Sequence, residues 1–228
     1  MTPILRDLGR RDYDDTWTAM REFTARRDPE TPDELWLVEH PPVFTLGLAG
    51  RDQPVAAGGI PVVATDRGGL TTYHGPGQAI VYALIDLRRA GFFVKELVYR
   101  IEQSVLQTLD GFGVAGVRVA GAPGIYVRVG AGGNERFDGL AKIAALGIKV
   151  SRGCSYHGVA LNVAMDLAPF GRIDPCGYKG LATTDLAKLG IQAPRAAVAA
   201  RLAERLSQHL ARAEAPSPPT GHAVPVAP

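Results

Sequence analysis

The 228-residue sequence predicts an α+β (α/β) fold, a single domain in which a mixed or antiparallel β-sheet is flanked by helices. Three observations point there. Val94 to Phe112 and Pro194 to about Ala213 carry apolar residues at helical spacing. Ala79 to Asp86 and His157 to Leu167 are apolar runs of the kind found in strands covered on both faces. Strand-like and helix-like segments mix without a strict βαβ rhythm, and no repeat or mid-chain linker divides the chain.

The elements follow in order. Met1 to Arg11 is polar and charged, lacks the apolar core of a signal peptide, and suggests no element. Asp12 stands where it can cap a helix reaching about Arg26, with Tyr13, Trp17, Met20 and Phe23 on its inner face. Pro29 and Pro32 end it. Leu35–Val38 and Val43–Leu46 read as short strands around the turn Glu39–Pro42, where His40 is a hydrogen-bonded turn residue. A loop over Gly47–Gly59 and a β-branched strand over Ile60–Thr65 lead to a short strand at Thr71–Tyr73 and the rigid turn Gly75-Pro76-Gly77. After the helix at Val94, strands are expected at Val117–Ala120, Gly124–Val129 and Phe137–Ser151, with a glycine-rich hairpin turn at Gly130–Glu135. Pro169–Gly180 is a loop, and Thr183 can cap a short helix ending at Gly190. The domain is drawn as 1–214, followed by a disordered, proline- and alanine-rich tail at 215–228.

Composition narrows the function. With 46% hydrophobic and 21% charged residues, the chain can bury a core of good size. A formal charge of +2 and the lack of any basic run argue against nucleic acid. No run of about 18 apolar residues is present to span a membrane. Two cysteines without an export signal are expected as free thiols in a cytoplasmic protein.

Arg67 to Gln78, R-G-G-L-T-T-Y-H-G-P-G-Q, is the densest stretch. Glycines let backbone approach a ligand, proline stiffens the loop, and Arg67, His74 and Gln78 supply polar contacts around it. An ordinary glycine-rich hairpin turn is the simpler alternative. Two cysteines compete as nucleophile. Cys176, in Asp174-Pro175-Cys176-Gly177, occupies a rigid, open loop; Cys154, in Arg152-Gly153-Cys154-Ser155, lies close in sequence to His157. Spacing alone does not separate them. Lys142 is the one charge in the apolar run Gly139 to Gly147. It belongs either on a solvated strand face or in a pocket, where a desolvated lysine becomes a usable base.

Four motifs together carry a family resemblance: the stretch at Arg67–Gln78, G-L-A-K-I-A-A-L-G at Gly139–Gly147, H-G-V-A-L-N at His157–Asn162 and P-C-G at Pro175–Gly177. In this order the chain resembles the octanoyltransferases, or lipoate-protein ligase B family, from about Trp36 to Gly190. The resemblance implies a biotin/lipoate protein ligase-like fold. It implies transfer of an octanoyl group from octanoyl-acyl carrier protein to the target lysine of lipoyl domains, those of 2-oxo acid dehydrogenases and the glycine cleavage H protein, through a cysteine thioester. Cys154 stands outside the family pattern, so the resemblance makes Cys176 the nucleophile and Lys142 the residue that tunes it. Arg67, Gly68, Gly69, Leu70, Thr71, Thr72, Tyr73 and His74, with Ala145, Leu146, Gly147, Gly158, Val159 and Ala160, match the segments lining the acyl and carrier site. No metal or cofactor is implied, and the enzyme is taken as a monomer. An eight-carbon tail gains ~0.8 kcal/mol per buried methylene, so chain-length preference is expected to be steep until the pocket ends. The competing readings are an ATP-dependent lipoate or biotin ligase on the same fold, a cysteine thioesterase, and a non-catalytic docking module. The chain has no phosphate-binding G-x-x-x-x-G-K-[ST] loop, and a docking module would need neither Cys176 nor Lys142.

Overall fold

The structure, a computed structural model, describes residues 2–53, 55–130, 137–174, 177–178 and 180–211. The Gly130–Glu135 turn beyond Gly130, Pro175, Cys176 and the tail lie outside the described residues. Eleven strands and four α-helices are present among them: β1 (Ile4–Arg10), α1 (Tyr13–Arg26), β2 (Glu34–Glu39), β3 (Val43–Leu46), β4 (Val62–Ala64), β5 (Thr71–His74), β6 (Gln78–Leu84), α2 (Leu87–Ala90), α3 (Val94–Asp110), β7 (Gly116–Val119), β8 (Ala122–Arg128), β9 (Leu140–Ser151), β10 (Cys154–Asn162), β11 (Ala182–Thr183) and α4 (Arg195–Leu210).

Eight strands form one sheet in the order β1-β2-β6-β10-β9-β8-β7, with β11 joined to the start of β9. The β1–β2 and β11–β9 pairs are parallel and the rest antiparallel, so the sheet is mixed as the sequence predicts. A second sheet of three strands, β4-β3-β5, is a feature the sequence reading did not anticipate. Neither was β1. Its side chains are almost all exposed, so ILRDLGR carries little buried-strand pattern; pairing with β2 from Ile4↔Glu34 makes it a strand.

Each face of the large sheet has its own cover. On the back face, α3 presents Leu97, Ile101, Val105 and Leu109, all fully buried, and α4 presents Val198, Leu202 and Leu206. They pack on Val81, Ile143, Val159 and Leu161. Each such side chain contributes about 1.5–3 kcal/mol by leaving water. On the front face, α1 packs Met20 against Trp36, Ile80, Tyr82 and Ala160. Asp12 holds the N-terminal position of α1 but makes no side-chain cap, contrary to expectation; its backbone carbonyl accepts from the Thr16 hydroxyl instead.

Several segments differ modestly from expectation. β9 begins at Leu140 rather than Phe137, and β10 ends at Asn162 rather than Leu167. Thr183 lies in β11, and the following short helix is a single 3₁₀ turn, Ala187–Leu189, closed by left-handed Gly190. The loop after Pro169 contains a 3₁₀ turn at Ala168–Arg172.

Candidate active site

A cavity of about 190 Å³ lies between the front of the large sheet and β5 of the small one. Its floor is β6, β9 and β10, its roof the Arg67–Leu70 loop and β5, and α1 closes it through Tyr13. In register, Gly158 faces Gly147 and Ala160 faces Ala145, so this part of the floor carries little or no side chain. A Cβ on Gly147 would meet Gly68 O at 3.0 Å and the Arg67 side chain at 3.2 Å, so the roof sits directly on bare backbone.

Lys142 reaches this cavity because β9 is bulged. Ile125 pairs with Ala144, yet Tyr126 pairs with Lys142, leaving Ile143 as an extra residue. Ile143 and Ala144 both join the back core. The shift brings Lys142 to the front, where it is 6% exposed and lines the cavity with Ala145 and Gly147. Its Nζ donates to Pro123 O at 3.0 Å and lies over the Tyr126 ring. Gly124 makes room for it: at φ +126° a Cβ there would stand 2.7 Å from Lys142 Cε and 2.6 Å from Ala144 O. The buried Glu102 carboxylate holds that turn, accepting from Gly124 N at 3.0 Å and from Arg118 Nε at 2.9 Å.

A second backbone irregularity aims His157. In a strand, neighbours point to opposite faces. His157 instead has φ +61°, and its ring stacks on that of Tyr156 at 5.1 Å, so both side chains converge on Asp66. Trp17 Nε1 also donates to Asp66, at 2.9 Å. Burial pushes the Asp66 carboxyl up, but the donors His157, Tyr156 and Trp17 outweigh it and hold it well below the usual carboxylate range. Burial pushes His157 down, with Asp66 opposing. A neutral His157 donating from Nε2 leaves Nδ1 as an acceptor; it is buried and has no partner among the described residues.

His74 is oriented by a relay of amides. Its Nδ1 donates to Gln78 Oε1 at 2.8 Å, Gln78 Nε2 to Asn162 Oδ1 at 2.8 Å, and Asn162 Nδ2 to Thr184 O at 3.0 Å. Thr184 N in turn donates to Lys142 O. Burial, seconded by His40, pushes His74 down to about 3. His40 is a structural turn residue as expected: Nδ1 donates to Arg11 O and Nε2 accepts from the Tyr82 hydroxyl. Arg67 crosses from roof to small sheet, donating to Thr45 O and Oγ1 and to Gly68 O.

Of the residues singled out in the sequence, Arg67, Gly69, Leu70, Thr71, Thr72, His74, Lys142, Ala145, Leu146, Gly147, Gly158, Val159 and Ala160 line this one cavity. Gly68 and Tyr73 do not. Gly68 N donates to Ile148 O and ties the roof to β9, while Tyr73 packs between Phe44 and Phe170. Cys176 lies outside the described residues; its neighbour Gly177 is described, and a Cβ there would meet Leu70 Cδ1 at 2.9 Å, beside the cavity wall. Cys154 is elsewhere, buried at the start of β10 in a separate pocket with Arg27, Arg88 and Arg152, and burial pushes its thiol up. Tyr13, Ile80, Tyr82, Pro123 and Thr183 also line the cavity and were not foreseen. Asp66, directly before Arg67, was the one signal within reach.

Residues 12–207 match the family described as lipoyl protein ligase A/B catalytic domain. The chain belongs to this family. Within it, the chain is 58% identical to an octanoyltransferase of Polaromonas naphthalenivorans, covering 92% of this chain and all of that one. It is 59% identical to an octanoyltransferase of Variovorax paradoxus, covering 90% and 96%. Both relatives are acyltransferases by name. Among solved structures, the fold is shared with a bipartite lipoate protein ligase of Thermoplasma acidophilum (TM-score 0.70, 15% identity, 92% and 84% coverage) and with a lipoate-protein ligase A bound with ATP (0.70, 14%, 92% and 86%). A biotin protein ligase of Aquifex aeolicus shares it more distantly (0.53, 14%, 91% and 70%). No helix among the described residues is long and apolar enough to cross a membrane.

Proposed function

We propose that this family member transfers an octanoyl group from octanoyl-acyl carrier protein to the target lysine of lipoyl domains, through a thioester on Cys176. The observation that supports it most directly is a buried ammonium, Lys142, brought into a slot whose floor is small and apolar. The family membership and the octanoyltransferase relatives support the same reading.

In the first half-reaction the Cys176 thiolate attacks the carrier thioester carbonyl. The tetrahedral oxyanion collapses, the C–S bond to the carrier breaks, and the carrier leaves as a thiolate. One thioester replaces another, so no ATP is consumed. Lys142 stabilises the thiolate by charge. In the second half-reaction an acceptor lysine amine attacks the Cys176 thioester, an amide forms, and the thiolate of Cys176 is released. The acceptor nitrogen must shed a proton, and Lys142 is the group in this slot to relay it. The acceptors are lipoyl domains of 2-oxo acid dehydrogenases and the glycine cleavage H protein.

Intact mass after mixing with octanoyl-acyl carrier protein tests this. The chain gains one octanoyl group, removed by hydroxylamine; Cys176→Ala gains none, while Cys154→Ala gains it. The reverse pattern rejects the assignment. Lys142→Ala slows both half-reactions by roughly 10²–10⁴-fold in stopped-time assays. ATP leaves turnover unchanged, whereas an ATP requirement points to the ligase chemistry of the solved neighbours.

A further inference from the structure

The end of the cavity remote from Lys142 is polar, and the transfer chemistry has no use for a polar group there. Lys142 and Gly147 are four paired positions apart on β9, Ile143 being the extra residue of the bulge, or about 13 Å at a strand rise of roughly 3.3 Å per residue. At the Gly147–Gly158 level the cavity meets His157 and Tyr13. His157 Nδ1 is buried without a partner, in a side chain that a left-handed backbone turns to this face. A non-glycine residue at φ > 0 within a central strand costs of order 1–3 kcal/mol and persists where its side chain has a task. The Tyr13 hydroxyl is also buried and outside hydrogen-bonding geometry, although Thr65 acts on it. Tyr13 is locked in place by ring contacts to His40 and His74.

We propose that Tyr13 and His157 form the stop that limits the acyl chain to about eight carbons. The inference rests on the reading above, in which the acyl carbonyl lies at the Lys142 end. An extended octanoyl chain runs about 9 Å from carbonyl to methyl, given C–C bonds of about 1.5 Å. About 4 Å remains, one van der Waals contact between the terminal methyl and the stop. Two further methylenes need about 2.5 Å more and press apolar carbon on two polar atoms, shutting them off from any other partner. The stop therefore works by size and by polarity together.

The test uses pantetheine thioesters of octanoate, decanoate and dodecanoate. Binding is measured by calorimetry on the full chain carrying Cys176→Ala, and acylation by mass on the chain with Cys176. In an open apolar slot, decanoyl would bind about 15-fold more tightly than octanoyl, from ~0.8 kcal/mol per methylene. The stop predicts no gain, or a loss. Tyr13→Phe keeps the ring and removes the hydroxyl; it raises decanoyl over octanoyl preference about 5–10-fold. His157→Asn, a residue that tolerates the left-handed backbone, shortens the side chain and shifts the preference the same way. A wild-type affinity that climbs with each added carbon overturns the proposal. So does an equal change at all three lengths in both variants. Failure of every thioester to bind rejects the acyl-slot reading itself, and with it the stop.

Discussion

Lys142 shows how much one residue's position depends on others that carry no charge. Its sequence signal was a lone cation in an apolar run, which fits a solvated strand face as well as a pocket. What decides between them is Gly124, eighteen residues earlier in the chain, whose missing side chain leaves space for the lysine. Gly124→Ala puts a Cβ 2.6 Å from a backbone oxygen and 2.7 Å from Lys142 Cε, at a φ that L side chains rarely adopt. The expected cost is about 1–3 kcal/mol, roughly 3–10 °C in Tm. Octanoyl transfer falls further than this stability loss explains, because Lys142 is displaced. Thermal unfolding and transfer rate measured together separate the two effects. The same dependence explains which site residues were legible. Arg67, His74 and Lys142 stand out as polar residues among glycines or apolar neighbours. Tyr13 read as one more member of the helical stripe, since nothing local tells a tyrosine facing a core from one facing a cavity.

At the level of elements, regular periodicity was legible and its interruptions were not. The helices α3 and α4 and the strands β6, β9 and β10 follow from apolar spacing. The bulge at Ile143 and the left-handed His157 do not, because neither position is itself a glycine or proline. Both irregularities change the side to which a side chain points. Deleting Ile143 restores simple alternation with Lys142 still on the front, but it empties the Ile143 place in the back core with Leu97, Ile101 and Val159 and draws Lys142 one position along the strand. Both the deletion and Ile143→Ala are expected to cost about 2–5 kcal/mol, but the deletion moves Lys142 about 3.3 Å along the strand and impairs transfer, whereas Ile143→Ala retains it. Urea denaturation with a transfer assay distinguishes them. The strand β1 was missed for a different reason: it is an edge whose exposed side chains offer no buried pattern, and only its partner reveals it.

On the scale of the molecule, the site's surroundings set an acid limit. Burial lowers His40, His74 and His157, with His74 taken down to about 3. Around them stand Arg67, which disfavours their charged forms at His74 and His157, and Asp66 and Asp12, which favour them at His157 and His40. A histidine whose folded pKa is depressed takes up its proton first in the unfolded chain. Stability is therefore complete above about pH 6.5 and is lost as pH falls below it. At pH 5 the His74 contribution alone reaches about 2 kcal/mol. Asp66, held low, adds a further loss only below about pH 4. Tm measured from pH 7.5 to 4.5 is expected to fall steadily, and His74→Gln to flatten the slope; a flat profile in the unsubstituted chain contradicts this account.

The two faces of the large sheet divide the tasks of this protein. Its long helices and most of its oily interior lie on one side, and the chamber lies on the other, floored by alanines and glycines. Evolution, or an engineer, can refit the chamber at Ala145 or Ala160 while the scaffold behind keeps its grip. New cargo shapes are thus within a few substitutions of the present one.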